Sequence, residues 1–471
     1  MSQDSQHQNQ AAFVRETAEA YGVPGAVVAV WSRGQEVYAS HGITDIDAPE
    51  PVDEQTVFTL GSVSKTYAAT ALMRLVAEGR VELDAPVRRY VPEFTLADER
   101  AADEITVRNL LNHTAGFDWR LSADTGEGDD ALALYVADMA KSELIAPPGT
   151  RASYSQLGYN LLGRVIEKVT GLTYEEAVAE LLLEPIGLTR TTFATREKLT
   201  HRSANGHNLA EDGTLSTAKQ WKDSRANNAG GAAAASAQDL IRWAAFHLGD
   251  GTAADGTRVL PADALHLMRE QTVELPGSSI GDALGLCWFL RDIEGIATIG
   301  HGGSANGQFA ELLIVPEHDF AVVSLSNAGP DSGLAFNQAA LRWALEHYLG
   351  VVEKDPEPLP FDAERAAEVV GDYENEMMTV TMATDGTSLS IACAIKPELR
   401  AAADTELPPD LPAAAFGLLP GDGDADGHGD AFIVTEGGLQ GHRGSFTRDA
   451  SGTIIGADLG GRFFTRMPAG R

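Results

Sequence analysis

The sequence predicts an α/β (α+β) chain in two parts: an antiparallel sheet flanked by helices with an inserted helical subdomain, then a C-terminal all-β barrel. Three observations lead there. Strand patterns stand at both ends of the first part, with a helical block between them. The segment VVEKDPEPLP then breaks the chain with closely spaced prolines, the mark of a linker. Beyond it, short alternating apolar segments recur between turn residues. The expected boundaries are 1–350 for the first domain, 351–360 for the linker and 361–471 for the barrel.

Each element has its own signal. AAFVRETAEAYG carries helical periodicity, and GAVVAVW and QEVYASHG read as two strands joined at Arg33 and Gly34. From Val63, SKTYAATALMRLVAEG reads as an amphipathic helix ending at Gly79. Residues 83 to 248 are mostly helices and loops, including LGYNLLGRVIEKVTG and the apolar stretch 237–249. Strand patterns return at 297–299, 309–315 and 320–326, and a closing helix is expected over 337–349. A sheet built from both ends of a region leaves its middle to stand as an insertion. In the last part, MMTVTMAT, SLSIACAI, AFIVTE, GSFTRD, GTIIGA and RFFTRM are the expected strands of a small barrel or sandwich.

Composition narrows the function. The chain has 471 residues, 44% of them hydrophobic and 22% charged, enough for more than one globular domain. A formal net charge of -33 repels phosphates, which argues against nucleic acid and anionic membrane as partners. A well-solvated surface accounts for it; salt adaptation and a taste for cationic substrates stay open. Cys287 and Cys393 sit in the apolar strings GLCWF and SIACAI and read as core residues, not as a disulfide or metal ligands. MSQDSQHQNQ lacks the basic and apolar parts of a signal peptide, and no apolar run is long enough to span a membrane. The expected location is therefore the cytoplasm. Asp422, Asp424 and Asp426 imitate half of a calcium loop, but Ile433 stands where the bidentate glutamate belongs, so a solvated hairpin loop is expected. No metal and no organic cofactor are expected.

Three motifs carry chemistry. In FTLGSVSKTYAAT, Ser62 and Lys65 are one helical turn apart at a helix start. The free N–H groups there favour an alkoxide-like nucleophile, and a desolvated lysine can take the serine proton. Alone, Ser-x-x-Lys is equally a capped surface helix, and Ser64 could itself be the cap. In SYSQLGYNLLG, Tyr154 precedes the amide Gln156; a tyrosine beside a lysine can shuttle a proton, whereas a lone tyrosine is usually a core residue. In TIGHGGSANGQF, His301 is followed by glycines that let backbone approach a ligand closely, and a strand there can offer an oxyanion N–H. The bland reading is a glycine-rich turn. His113 reads as a structural residue that orients a loop.

The order and spacing of the three resemble the serine β-lactamase and penicillin-binding-protein superfamily, in its class C β-lactamase, D-aminopeptidase and esterase branch. LLNHTAGF, LLGRVIEKVTG and ELLIVPEHDFAVVSLSNA are similar to that branch's supporting strings, so the likeness covers about Val14 to Leu349. It implies that Ser62 is acylated, that Lys65 takes its proton and that Tyr154 serves the leaving group and the deacylating nucleophile. It also implies an oxyanion hole from the N–H groups of Ser62 and Ser304, next to Gly303. His301 would hold the third motif's lysine position. Two departures stand out. Gln156 replaces the usual Asn with a longer amide, and His301 removes a permanent cation. Both point away from antibiotic hydrolysis.

The second part resembles the lipocalin-like domain of several relatives, with GDYENEMMTVTM as its opening strand. The expected function is a serine hydrolase of the β-lactamase-related type, esterase or D-peptidase-like, acting on a small-molecule or peptide acyl substrate. A transacylase or peptide cyclase is the alternative, and a non-catalytic binding protein on the same fold is the second. The sequence leaves the oligomeric state open.

Overall fold

The computed structural model describes all residues except 1–2, 120–123, 194–199, 211–212, 219–223, 330–331, 403–406, 408–409, 422–428 and 469–471. The acidic stretch at Asp422, Asp424 and Asp426 lies outside the described residues.

The first part is built on an eight-stranded sheet. Its order is Gln35–Gly42, Gly25–Ser32, Phe320–Ser326, Gln308–Val315, Ile296–Ala305, Phe289–Ile293, Ala283–Leu284 and Val273–Glu274. Neighbours run antiparallel, so strands from both ends of the region meet at Gly25–Ser32 and Phe320–Ser326. The chain between Gly42 and Val273 forms the insertion. The strand GAVVAVWS is buried on both faces, which explains its unbroken apolar run. Val27 and Ala29 join the core under the helices Ser64–Ala77 and Ala237–Leu248. Ala26, Val28 and Val30 join the core under Gln3–Tyr21 and Ser332–Ala344.

Two elements depart from expectation, and the capped-helix alternative at Ser62 and Ser64 is not what forms. The closing helix starts at Ser332, ahead of Asn337, and ends in a π turn at Leu345–Leu349. Gly333, which looks like a breaker, is needed there: a Cβ on it would stand 2.1 Å from the Ala328 carbonyl. The strand expected over 297–299 extends to Ala305, so His301, Gly302 and Gly303 are strand and not turn. Neither Ser62 nor Ser64 caps the helix at Ser64–Ala77 with its side chain.

The second part is a closed barrel of eight strands: Gly371–Glu374, Met378–Thr384, Leu389–Ile395, Leu411–Leu418, Ala431–Val434, Arg443–Arg448, Ile454–Leu459 and Arg462–Arg466. Tyr373 pairs with Arg466 to close it. Leu411–Leu418 was absent from the expected set because LPAAAFGL has a proline and small residues of low strand propensity. Tyr373, Phe416, Phe432 and Phe446 pack in the interior, which is filled by side chains. Residues 351–360 carry no helix or strand. They are nonetheless held: Glu353 pairs with Arg291 and Arg342, and Asp355 pairs with Arg342. Cys287 and Cys393 are buried free thiols in separate parts.

Candidate active site

The site begins at the turn Gly61–Val63, which leads into the helix Ser64–Ala77. Gly61 has a φ of 52°, and a Cβ on it would lie 2.5 Å from the Ser304 nitrogen. A Cβ on Gly303 would lie 2.1 Å from the Leu60 carbonyl and 2.7 Å from the Ser62 nitrogen. These glycines let the strand Ile296–Ala305 press backbone to backbone on the nucleophile turn. The N–H groups of Ser62 and Ser304 thus lie on touching segments. Ser64 pins the turn from below: its Oγ donates to the Gly61 carbonyl at 2.5 Å and accepts from the Ala233 N–H at 2.8 Å.

Lys65 is fully buried. Its Nζ stands 3.2 Å from Ser62 Oγ and 2.6 Å from the Gly230 carbonyl, and it also donates to Gln156 Oε1. Burial pushes its pKa well below the ordinary lysine value; the Cys287 thiol opposes this and the Arg462 guanidinium adds to it. A neutral amine has two N–H bonds and one lone pair. Gln156 Oε1 and the Gly230 carbonyl can only accept, so they consume both N–H bonds and leave the lone pair for the Ser62 hydroxyl. Gln156, one methylene longer than the usual Asn, therefore does reach Lys65. Gly230 lies in the helical turn Asn228–Gly231. A Cβ there would stand 2.8 Å from Asn160 Oδ1, so glycine is what allows its carbonyl this close to the lysine.

Tyr154 precedes the helix Gln156–Thr170, whose cap, Ser155, accepts from the Leu157 N–H through its side chain. The Tyr154 ring lies 4.8 Å from Lys65 Nζ. Burial raises its phenol pKa, opposed by the neighbouring Ser62 hydroxyl and by Arg462. The hydroxyl is buried beside Ser62, yet no hydrogen bond of normal geometry holds it. His113 backs this unit: its Nδ1 accepts from the Ser155 N–H at 3.1 Å and its ring packs 4.4 Å from Tyr154. It has a φ of 58°, a strained setting for a non-glycine residue.

His301 is 2% exposed and stacks on Phe289 at 4.4 Å. Its ring centroid is 6.1 Å from that of Tyr154. Nδ1 faces the Gly302 carbonyl at 2.7 Å. A carbonyl can only accept, so Nδ1 carries the proton and Nε2 keeps a free lone pair. Burial, then the nearby Lys65, push the pKa down to about 3, so the ring is neutral at working pH. Behind the strand, Glu311 fills the space that a side chain at Gly302 would need. Its carboxyl is pushed up to about 7 by burial, partly offset by Arg291.

The barrel completes the site. The Gly461 carbonyl accepts from the Tyr154 N–H at 2.7 Å, and the Phe463 N–H reaches Ser153 Oγ at 3.5 Å. The Arg462 guanidinium lies 5.1 Å from the Tyr154 ring and 4.7 Å from the Trp119 ring. Asp118 Oδ2 accepts from the Glu376 N–H at 2.9 Å. The structure thus brings Ser62, Lys65, Tyr154, Gln156, His301, Gly303 and Ser304 together. Gly230 and Arg462 are additions that sequence reasoning missed. The paired glycines of NNAGG were a signal for the first, whereas Arg462 looks like any barrel-strand arginine. Among the described residues no cluster of His, Cys, Asp and Glu could hold a metal ion, and no helix is long and apolar enough to cross a membrane.

The family model described as Beta-lactamase matches residues 11–346. The chain belongs to the β-lactamase family. Penicillin-binding protein 4 of Amycolatopsis lactamdurans is 36% identical over 363 residues, which span 75% of this chain and 94% of that protein. Esterase EstB of Burkholderia gladioli is 35% identical over 189 residues, 37% of this chain and 48% of the esterase. Among solved structures, SurE superposes with a TM-score of 0.73 at 25% identity, covering 99% of this chain and all of SurE. The likeness therefore includes the barrel as well as the β-lactamase-family part.

Proposed function

We propose that this member of the β-lactamase family cleaves ester or amide bonds through an acyl-Ser62 intermediate. One observation carries the reading: a buried Lys65 whose Nζ lies 3.2 Å from Ser62 Oγ and also donates to Gln156 Oε1 and the Gly230 carbonyl; as a neutral amine it spends its two N–H bonds on those two and has its lone pair left for Ser62. Ser62 Oγ attacks the substrate carbonyl carbon while its proton passes to Lys65 Nζ. The negative charge that develops on the carbonyl oxygen is met by the N–H groups of Ser62 and Ser304. Collapse breaks the bond to the leaving group, which takes a proton from the Tyr154 phenol. That phenol is kept protonated at rest by burial. The incoming nucleophile then returns a proton to Tyr154 and attacks the acyl carbon, and Ser62 Oγ leaves by taking back the proton held on Lys65 Nζ. His301, neutral, offers Nε2 as an acceptor that fixes the substrate or Tyr154.

The acceptor is water in a hydrolase and an amine in a transacylase. The second reading is favoured by the depth of the site, where Tyr154 is only 5% exposed. The residue pattern supports an esterase or D-peptidase-like substrate range, with a small-molecule or peptide acyl compound bound. The test is turnover of a p-nitrophenyl ester and labelling by a serine-directed phosphonate. Both are expected in the native chain and lost in Ser62→Ala. Labelling or turnover that survives in Ser62→Ala overturns the nucleophile assignment, and an inert native chain favours a binding protein. Adding a D-amino-acid amide and measuring aminolysis against hydrolysis separates the two acceptors.

A further inference from the structure

We propose that Arg462, carried by the barrel, is a positioning residue of the catalytic part: it supplies the permanent positive charge of the active site and through it poises Lys65 as base and Tyr154 as acid. The proposal rests on the acyl-serine reading above.

The barrel hairpin fixes where this charge sits. Strands Ile454–Leu459 and Arg462–Arg466 are joined by Gly460 and Gly461, with φ of 60° and 73°. Two consecutive left-handed residues make the tight turn that glycine adopts at no steric cost. A Cβ on Gly461 would also stand 2.2 Å from Ile280 Cδ1, so a side chain there would have to push Ile280 aside. Its carbonyl is bonded to the Tyr154 N–H, so the next residue, Arg462, is registered on Tyr154 itself.

The charge is not neutralised. Arg462 Nη1 donates to the Gly460 carbonyl at 3.3 Å, while Nε is buried without a partner. Among the described residues Arg462 forms no ion pair. Burial lowers the guanidinium's own pKa, opposed by the Tyr154 phenol and then by Asp458, whose own carboxyl is pushed up to about 7 by burial. Arg151, which draws the Asp458 carboxyl back down, is itself engaged with Thr447 and the Phe463 ring.

The remaining groups around Tyr154 cannot replace it. His301 and His113 are held neutral by burial, and the Cys287 thiol is pushed up to about 12. Arg462 keeps its proton at any working pH. It therefore stands in for the cation that a lysine at position 301 would have provided. A fixed cation there disfavours a second one on Lys65 and favours negative charge on Tyr154 oxygen. Both cations lie close to the same ring, so their separation is at most about 10 Å. With an effective dielectric of about 20, one charge at that distance is worth about one pH unit.

The test uses the full chain with 13Cε-labelled lysine, and Lys65→Arg to assign the Lys65 signal. In Arg462→Gln the Lys65 titration midpoint is expected about one pH unit higher, and Arg462→Lys restores it. The acid limb of kcat/KM for a p-nitrophenyl ester moves the same way. An unmoved midpoint in folded Arg462→Gln overturns the proposal, even if activity falls, because Arg462 then only binds or braces. A midpoint that rises equally in Arg462→Lys overturns it too. If Arg462→Gln loosens the barrel in thermal unfolding, Arg462→Met repeats the measurement with an apolar stem. Retained turnover in Ser62→Ala sinks the acyl-serine reading instead, and the lysine midpoint reads the charge effect independently of it.

Discussion

Replacing Gln156 by Ala removes one of the two acceptors that aim Lys65 at Ser62. The other, the Gly230 carbonyl, stays at 2.6 Å. With one N–H bond free, the amine can rotate and point a hydrogen instead of its lone pair at the Ser62 hydroxyl. A hydrogen bond involving a charged or charge-developing group contributes about 1.5–3 kcal/mol. That energy acts in the step where Lys65 becomes an ammonium, so kcat/KM should fall by about 10- to 150-fold. The fold should survive, because Ala at the first position of the helix Gln156–Thr170 carries no propensity cost. Two rates are measured: kcat/KM on a p-nitrophenyl ester, and second-order labelling of Ser62 by a phosphonate. They should fall together, since both report acylation. Values within twofold of the native chain would refute the claim that Gln156 orients the base. Gln156→Glu gives the opposite electrostatic sign: a carboxylate beside Lys65 favours the ammonium, so activity is lost at neutral pH and partly recovered at alkaline pH.

Three further outcomes are expected. Gly303→Ala puts a methyl group 2.1 Å from the Leu60 carbonyl and 2.7 Å from the Ser62 nitrogen, which forces the strand off the nucleophile turn. A drop in kcat/KM of at least about 100-fold, the usual cost of a lost oxyanion donor, is expected, and near-native kinetics would contradict the assigned contact. Glu311→Gln tests a pH window. The native carboxyl, raised from 4.5 to about 7, holds its proton in the folded state and weakens the fold as pH climbs through that interval. The variant lacks this loss, so the Tm of Glu311→Gln relative to the native chain should be higher at pH 8 than at pH 5; a pH-independent difference would speak against it. Finally, a formal net charge of -33 leaves the surface self-repelling at low ionic strength. Raising sodium chloride from about 0.05 to 1 M should lift Tm by several degrees, and a flat or falling Tm would assign that charge no cost.

Much of this architecture was legible because particular residues have few other uses. Strands at 25–32 and 320–326 announce themselves by unbroken apolar runs, and the pair Arg33 and Gly34 marks the turn between the first two strands. Ser62, Lys65, Tyr154 and His301 were picked out as a set because their order and spacing resemble the family's motifs. What escaped was set by tertiary contact. The strand Leu411–Leu418 has little propensity of its own and is held by its neighbours on both sides. The helix Ser332–Ala344 begins on a glycine-bearing turn that only close packing explains. Gly230 acts through its carbonyl, a group every residue possesses. Arg462 sits in RFFTRM, where it reads as one more alternating strand residue, and its partner Tyr154 lies far away in the sequence, outside the barrel.

The docking of the barrel hairpin has a consequence for the order of assembly. Ser153 and Phe463 meet across 310 residues of sequence. The strands Gly25–Ser32 and Phe320–Ser326 pair over a comparable separation, so distance does not set the order; synthesis does, because every barrel strand follows the last strand of the sheet in the chain. The sheet and nucleophile turn can form while the barrel is still unstructured, but Tyr154 then lacks its backbone partner and Lys65 its neighbouring charge. A nascent or half-folded chain therefore carries Ser62 without its full means of activation. On the proposed mechanism, full reactivity of Ser62 therefore waits until the barrel has docked.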